Sequence, residues 1–150
     1  YSAYLYLSMS AYFSEIGLYG FSNWAKVQSK EEIDHGMILF EYVLGRNSQI
    51  HLAQISMPNF DMNSPLEVFE QIYQHERSIT SAIDCVANMS EGECDLSTRN
   101  FIDWYLKEQI EEEASVSRII AKLKAFGAEK SALYLIDREL STREYSPLEY

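Results

Sequence analysis

Three helical stripes, apolar at both ends and acidic or amide-bearing in the middle, constrain this chain more than any other feature. Taken in steps of three and four residues, one reads Phe21, Ala25, Gln28, Glu32, His35, Leu39, Tyr42. A second reads Phe69, Tyr73, Glu76, Ile79, Ile83, and a third Ile102, Tyr105, Gln109, Glu112, Val116, Ile119, Leu123, Phe126. That spacing marks the buried face of a bundle helix. A buried carboxylate without a partner is costly, so glutamates at core positions on three helices need a compensating charge or proton. The stripes hold no Lys or Arg near those levels. A shared cation, or carboxyl protonation, remains.

The spacing of turn signals sets the architecture around these stripes. With 150 residues the chain is expected to form one domain, over 1–150, with a proper core. Its three prolines and six glycines fall mostly between helical stretches. A first helix is predicted over Tyr1–Leu18 and a second over Phe21–Leu44, joined by a short turn at Gly17, Tyr19 and Gly20. Gln49 to Asn63 contains Pro58, lacks helical period and reads as an extended crossover. Ser64-Pro65-Leu66-Glu67 is a helix start, with Ser at N-cap, Pro at N1 and Glu at N3. The third helix then runs to about Met89, the fourth from Leu96 to Phe126, and a short fifth from Ser131 to Leu140 before a polar tail. The expected fold is all-α: a four-helix bundle with one long crossover between the second and third helices and a short C-terminal fifth helix. No capping residue precedes Tyr1, so the chain as given is expected to start inside its first helix.

Composition narrows the partners. A formal net charge of −11 disfavours nucleic acid and suits cations. No apolar run is long enough to span a membrane and nothing resembles a signal peptide, so a cytoplasmic location is expected. Cys85 and Cys94 are too few for a disulfide framework and have no second Cys or His at ligand spacing. They are expected as reduced thiols.

The donors within the stripes indicate the cation. Glu32 and His35 stand at i, i+3 on one helical face, and Gln109 and Glu112 repeat that spacing with an amide in place of a second imidazole. Oxygen-rich ligation with few nitrogens and no thiolate favours iron or manganese over structural zinc. Glu76 can bridge two ions. A lone E-x-x-H is a weak signal. That pair and the Q-x-x-E pair, both within core stripes and joined by a third core glutamate, form a strong one.

Over nearly its whole length the sequence resembles the ferritins, and most of all the bacterial-type non-haem ferritins. The resemblance is carried by Tyr1-Ser2-Ala3-Tyr4-Leu5-Tyr6-Leu7-Ser8-Met9, Glu31-Glu32-Ile33-Asp34-His35, Phe101-Ile102-Asp103-Trp104-Tyr105 and Glu108-Gln109-Ile110-Glu111-Glu112-Glu113. Ser64-Pro65-Leu66 and Leu133-Tyr134-Leu135-Ile136-Asp137 also fit. It implies a ferritin-like bundle with a diiron ferroxidase centre, in a homo-oligomeric cage of twenty-four subunits. Glu32 and His35 would bind the first iron, with Glu32 bridging. Glu76 and Glu112 would bind the second, with Gln109 beside it. Glu31, Glu108 and Glu111 match a third iron site, and fit an exposed acidic face as well. Tyr6 and Trp104 match residues beside the centre that could supply electrons, although core packing explains them too. The substrates would be Fe(II) and O₂ or H₂O₂. One departure is that the family's first-helix glutamate ligand falls upstream of Tyr1, outside this sequence.

The same residues disfavour three rival readings. Bacterioferritin uses a second E-x-x-H and binds haem through a methionine after the first glutamate; here Gln109 lacks the His and Ile33 takes the methionine's place, so no haem is expected. A non-catalytic shell would have lost Glu32, His35, Glu76 and Gln109. A diiron oxygenase would want two His ligands and a substrate pocket. His51 and His75 have no acidic company in a stripe and read as surface residues.

Overall fold

The computed structural model describes residues 1–60 and 62–148. Among them are five helices and no strand: α1 (Ser2–Glu15), α2 (Tyr19–Gly45), α3 (Pro65–Gly92), α4 (Leu96–Phe126) and α5 (Lys130–Leu140). They fall into two compact units, Tyr1–Met62 with Glu129–Tyr150, and Asn63–Ala128. No described helix is long and apolar enough to cross a membrane.

The first unit is an α1–α2 hairpin with α5 laid against α2. α1 ends at Glu15, short of the expected Leu18, because Gly17 turns left-handed at φ 81°. The Leu18 amide donates to the Phe13 carbonyl at 2.8 Å and the Gly17 amide to Ser14 at 3.2 Å, closing the helix with a Schellman motif. The seam of the hairpin buries Leu5, Tyr6, Met9 and Phe13 from α1 and Phe21, Trp24 and Ala25 from α2. Phe13 and Phe21 pack at 5.3 Å between centroids, and Tyr6 meets Trp24 edge-on at 6.0 Å. Polar groups line the same seam. Ser22 Oγ lies 2.9 Å from Ser10 Oγ and 2.8 Å from Ser14 Oγ, and Ser29 Oγ donates to the Ala3 carbonyl at 2.7 Å.

α5 caps α2 from a distance in sequence. The first amides of a helix lack intrahelical acceptors, and Asp137 Oδ1 accepts from Gly20 N at 2.7 Å and Phe21 N at 3.0 Å. Position 20 must be glycine for this approach, since a Cβ there would lie 1.6 Å from the Asp137 carbonyl oxygen.

The second unit is the α3–α4 hairpin. Ser64 is extended and its Oγ accepts the Glu67 amide at 3.2 Å, with Pro65 opening the helix, as the sequence predicts. At the other end Cys94 takes φ 57°, the Asp95 amide donates to Ser90 at 2.8 Å, and the Cys94 amide donates to Glu91 at 3.1 Å. Asp95 then caps α4 through the Thr98 amide at 3.1 Å. Val68, Phe69, Ile72, Ile83, Ala87, Phe101, Ile102, Tyr105, Val116, Ile119 and Leu123 are its buried apolar residues. Between α2 and α3 no described residue of 46–64 is helical, in keeping with the expected long connection.

The stripes are correct at their centres and overlong at their ends. Leu39 is 42% exposed and Phe126 59% exposed, against the expected burial, while Tyr42, Tyr73 and Ile79 are half-buried.

Candidate metal centre

The candidate ligands divide between the two units, and each set is built by its own hairpin. In the first, a single turn of α2 presents Glu31, Glu32 and His35. The i, i+3 step puts Glu32 and His35 on one face, where Glu32 Oε1 stands 3.7 Å from His35 Nδ1. His35 is 8% exposed and Glu32 half-buried. Glu31, half-buried, turns to a different neighbour: its Oε2 lies 2.5 Å from Arg143 Nη2. Gln28, one turn earlier, is fully buried. Tyr6 is fully buried against Trp24 in the same unit.

The second set is more deeply enclosed. Glu76 on α3 is fully buried, and Gln109 and Glu112 on α4 are each 5% exposed. Gln109 Nε2 reaches Glu76 Oε2 at 3.1 Å, the Glu76 carbonyl at 3.2 Å and Thr80 Oγ1 at 3.3 Å. The amide orients the carboxylate and leaves the carboxylate's other oxygen outside this bond. Burying an anion this thoroughly is unfavourable unless a cation or a proton comes with it. Trp104 is half-buried and meets Tyr105 edge-on at 4.8 Å; Tyr105 lies one turn before Gln109. Glu108 is half-buried and Glu111 exposed.

Two members of this second set escaped the sequence reading. Thr80 Oγ1 donates to Glu113 Oε1 at 2.6 Å while accepting from Gln109, so Glu76, Gln109, Thr80 and Glu113 form one connected network. The signal was available: Thr80 stands four residues after Glu76 and Glu113 four after Gln109, one helical turn in each case. Neither of the other two histidines joins a ligand set; His51 is exposed and His75 half-buried. Cys85 and Cys94 are exposed, unbridged thiols.

The donors suit a hard or borderline cation. The first set offers carboxylates and one imidazole and the second carboxylates and one amide, neither with a thiolate, and each composition favours iron or manganese. Of these donors His35, Glu76, Gln109 and Glu112 are buried, where little water competes for a cation.

Comparison with known proteins gives this chemistry its family. The Ferritin-like domain family matches residues 1–126. A bacterial non-haem ferritin of Bacteroides fragilis is 35% identical over 142 residues, covering 95% of this chain and 88% of its own. One from Campylobacter jejuni is 38% identical over 138 residues, covering 92% and 83%. Among solved structures, an engineered closed form of the Archaeoglobus fulgidus ferritin is 45% identical with a TM-score of 0.94, over 97% of this chain and 88% of that one. An open-pore ferritin from the same hyperthermophilic archaeon is 46% identical with a TM-score of 0.94, over 95% and 88%. The fold class is therefore the ferritin-like all-α one, a four-helix bundle with a short fifth helix, and the chain belongs to the ferritin family.

Proposed function

We propose that this chain is a ferroxidase subunit of an iron-storing cage, oxidising Fe(II) at a diiron centre and passing Fe(III) on to a mineral. Family membership supports iron storage as the role. The observation that carries the finer reading is the burial of Glu76, Gln109 and Glu112 at core positions where apolar side chains would be cheaper to bury. Glu32 and His35 are assigned to the first iron, with Glu32 bridging. Glu76 and Glu112 are assigned to the second, with Gln109 holding Glu76 and standing beside that ion. Glu31, Glu108 and Glu111 are assigned to a third ion. All of them serve one diiron domain, in a homo-oligomer of twenty-four copies working in the cytoplasm.

Fe(II) is the substrate. Two ferrous ions each lose one electron, and O₂ takes both electrons with two protons to leave H₂O₂; where H₂O₂ is the oxidant it leaves two waters instead. Anionic oxygen donors stabilise the higher charge of Fe(III) more than that of Fe(II), so the carboxylates lower the potential and favour oxidation. Tyr6 and Trp104 are assigned as auxiliary electron donors. The acidic surface, net −11, draws Fe(II) in and gathers ferric ions for nucleation.

Stopped-flow mixing of anaerobic protein and Fe(II) with O₂ tests this reading. A fast phase saturating at about two irons per subunit, as a two-metal site requires, is expected. It should disappear in Glu112→Ala. Oxidation that is slow, unsaturable and unchanged in that variant would point to a shell without a centre. Gel filtration tests the cage, and a monomeric or dimeric elution would overturn it.

A further inference from the structure

Beyond α5 the chain turns back along α2, and eight contacts, the first from the last residue of α5, hold it there. Asn23 Nδ2 donates to the carbonyls of Leu140 at 3.5 Å, Ser141 at 3.4 Å and Arg143 at 2.9 Å. The Arg143 guanidinium lies 5.1 Å over the Trp24 ring and its Nη2 is 2.5 Å from Glu31 Oε2. Tyr145 Oη donates to Asp34 Oδ2 at 2.8 Å, and the Leu148 amide donates to the same oxygen at 3.2 Å. Lys30 Nζ closes the arrangement, 5.0 Å from the Tyr145 ring centroid. The strap therefore runs along Asn23, Trp24, Lys30, Glu31 and Asp34, one long face of α2 beside the turn that carries Glu32 and His35.

Glu31 is where strap and metal chemistry collide. Its ion pair with Arg143 is largely sheltered, at 15% and 24% side-chain exposure, where a charge-assisted bond is strong. A carboxylate held in this way is a poor ligand, and a guanidinium at its oxygen repels an arriving dication. We propose that Arg143 is a positioning residue that holds Glu31 away from metal, so that the strap and a third cation compete for one carboxylate. This rests on the assignment of Glu31 to the third ion. Competition is reciprocal by linkage: whatever the strap subtracts from the third ion's affinity, the third ion subtracts from the strap's attachment. Trp24 lies under the guanidinium and reports its departure.

The test titrates assembled, iron-free protein with Zn(II) alone, which is redox-inert, following zinc by a competing chromophoric chelator and the strap by tryptophan emission. Arg143→Gln is expected to tighten the third zinc about tenfold, within the usual range of such couplings. Arg143→Lys, which keeps the charge, should restore most of the wild-type weakness, and adding Glu31→Gln to Arg143→Gln should cancel the gain. In a Trp104→Phe background, which leaves Trp24 as the sole tryptophan, the third equivalent should shift the emission with Arg143 present and not in Arg143→Gln. Equal third-site affinity in wild type and Arg143→Gln, with Glu31→Gln still weakening it, would overturn the competition while leaving Glu31 a ligand. Third-site binding indifferent to Glu31→Gln in both backgrounds would remove Glu31 from the site, and the proposal with it. Loss of the third site in Arg143→Gln would also overturn it, because it would make Arg143 a support for that site.

Discussion

Replacing Glu76 by glutamine should make the metal-free protein more stable and the metal-loaded protein relatively less so. The wild-type carboxylate is fully buried, with Gln109 Nε2 3.1 Å from one oxygen. Glutamine keeps an oxygen for that donor, so the change is chiefly one of charge. Exchanging a charge-assisted hydrogen bond for a neutral one loses about 1 kcal/mol, whereas relieving a buried anion of its desolvation returns several kcal/mol. At a pH high enough to keep the metal-free carboxylate ionised, Glu76→Gln should therefore gain ~1–3 kcal/mol, about 2–4 °C in Tm per kcal/mol at this chain length. Metal binding then narrows the difference. Fe(II) at a hundred times its Kd stabilises a competent site by about 2.7 kcal/mol, and the variant should receive only part of that. The assay is a pair of anaerobic melts, with and without Fe(II), on each protein. A variant that melts below the wild type without metal and gains just as much from Fe(II) would show that Glu76 is held for structure, and the argument from its burial would fail.

Three further outcomes follow from local geometry. Asp137→Ala removes the acceptor of the Gly20 and Phe21 amides and should cost about 1–2 kcal/mol, the usual loss of a helix cap; an unchanged denaturation midpoint would contradict this. Cys94→Gly should stabilise the α3–α4 hairpin by roughly 0.5–1 kcal/mol, because Cys94 sits at φ 57°, where glycine carries no steric penalty; a lower midpoint in urea would count against it. The hydrogen bond to Asp34, assisted by desolvation and by the charges of Asp34 and Glu31, raises the Tyr145 phenol above its ordinary value of 10.0. A pKa raised by folding means that the strap's contribution is whole below pH 10 and lost as pH climbs through the raised value. The difference in 295 nm titration between wild type and Tyr145→Phe should isolate this late-titrating group, and a difference curve centred at the ordinary value would refute it.

What the sequence could disclose depended on distance along the chain. Ser64, Pro65 and Glu67 lie within one turn, so the start of α3 was legible. Core glutamates were legible because helical period carries burial, and Glu76, Gln109 and Glu112 lie where the period places them. Period alone does not report what covers the end of a stripe, and Leu39 and Phe126, placed on buried stripes, are exposed. Asp137 capping α2 and Arg143 engaging Glu31 link residues more than a hundred positions apart, and no local pattern encodes such meetings. Thr80 and Glu113 fall between these cases: both lie one turn from an expected ligand, but hydroxyls and surface-type acids are too common to stand out alone.

The three serines between α1 and α2 have a consequence of their own. Each hydroxyl can both give and take a proton, so the chain from Ser10 through Ser22 to Ser14 is satisfied whether the protons point one way along it or the other. Two arrangements of equal merit leave the seam with residual disorder that an amide or carboxylate would have to surrender. Ser22 is the hub, and alanine there would sever both links at once, while alanine at either neighbour would leave one standing.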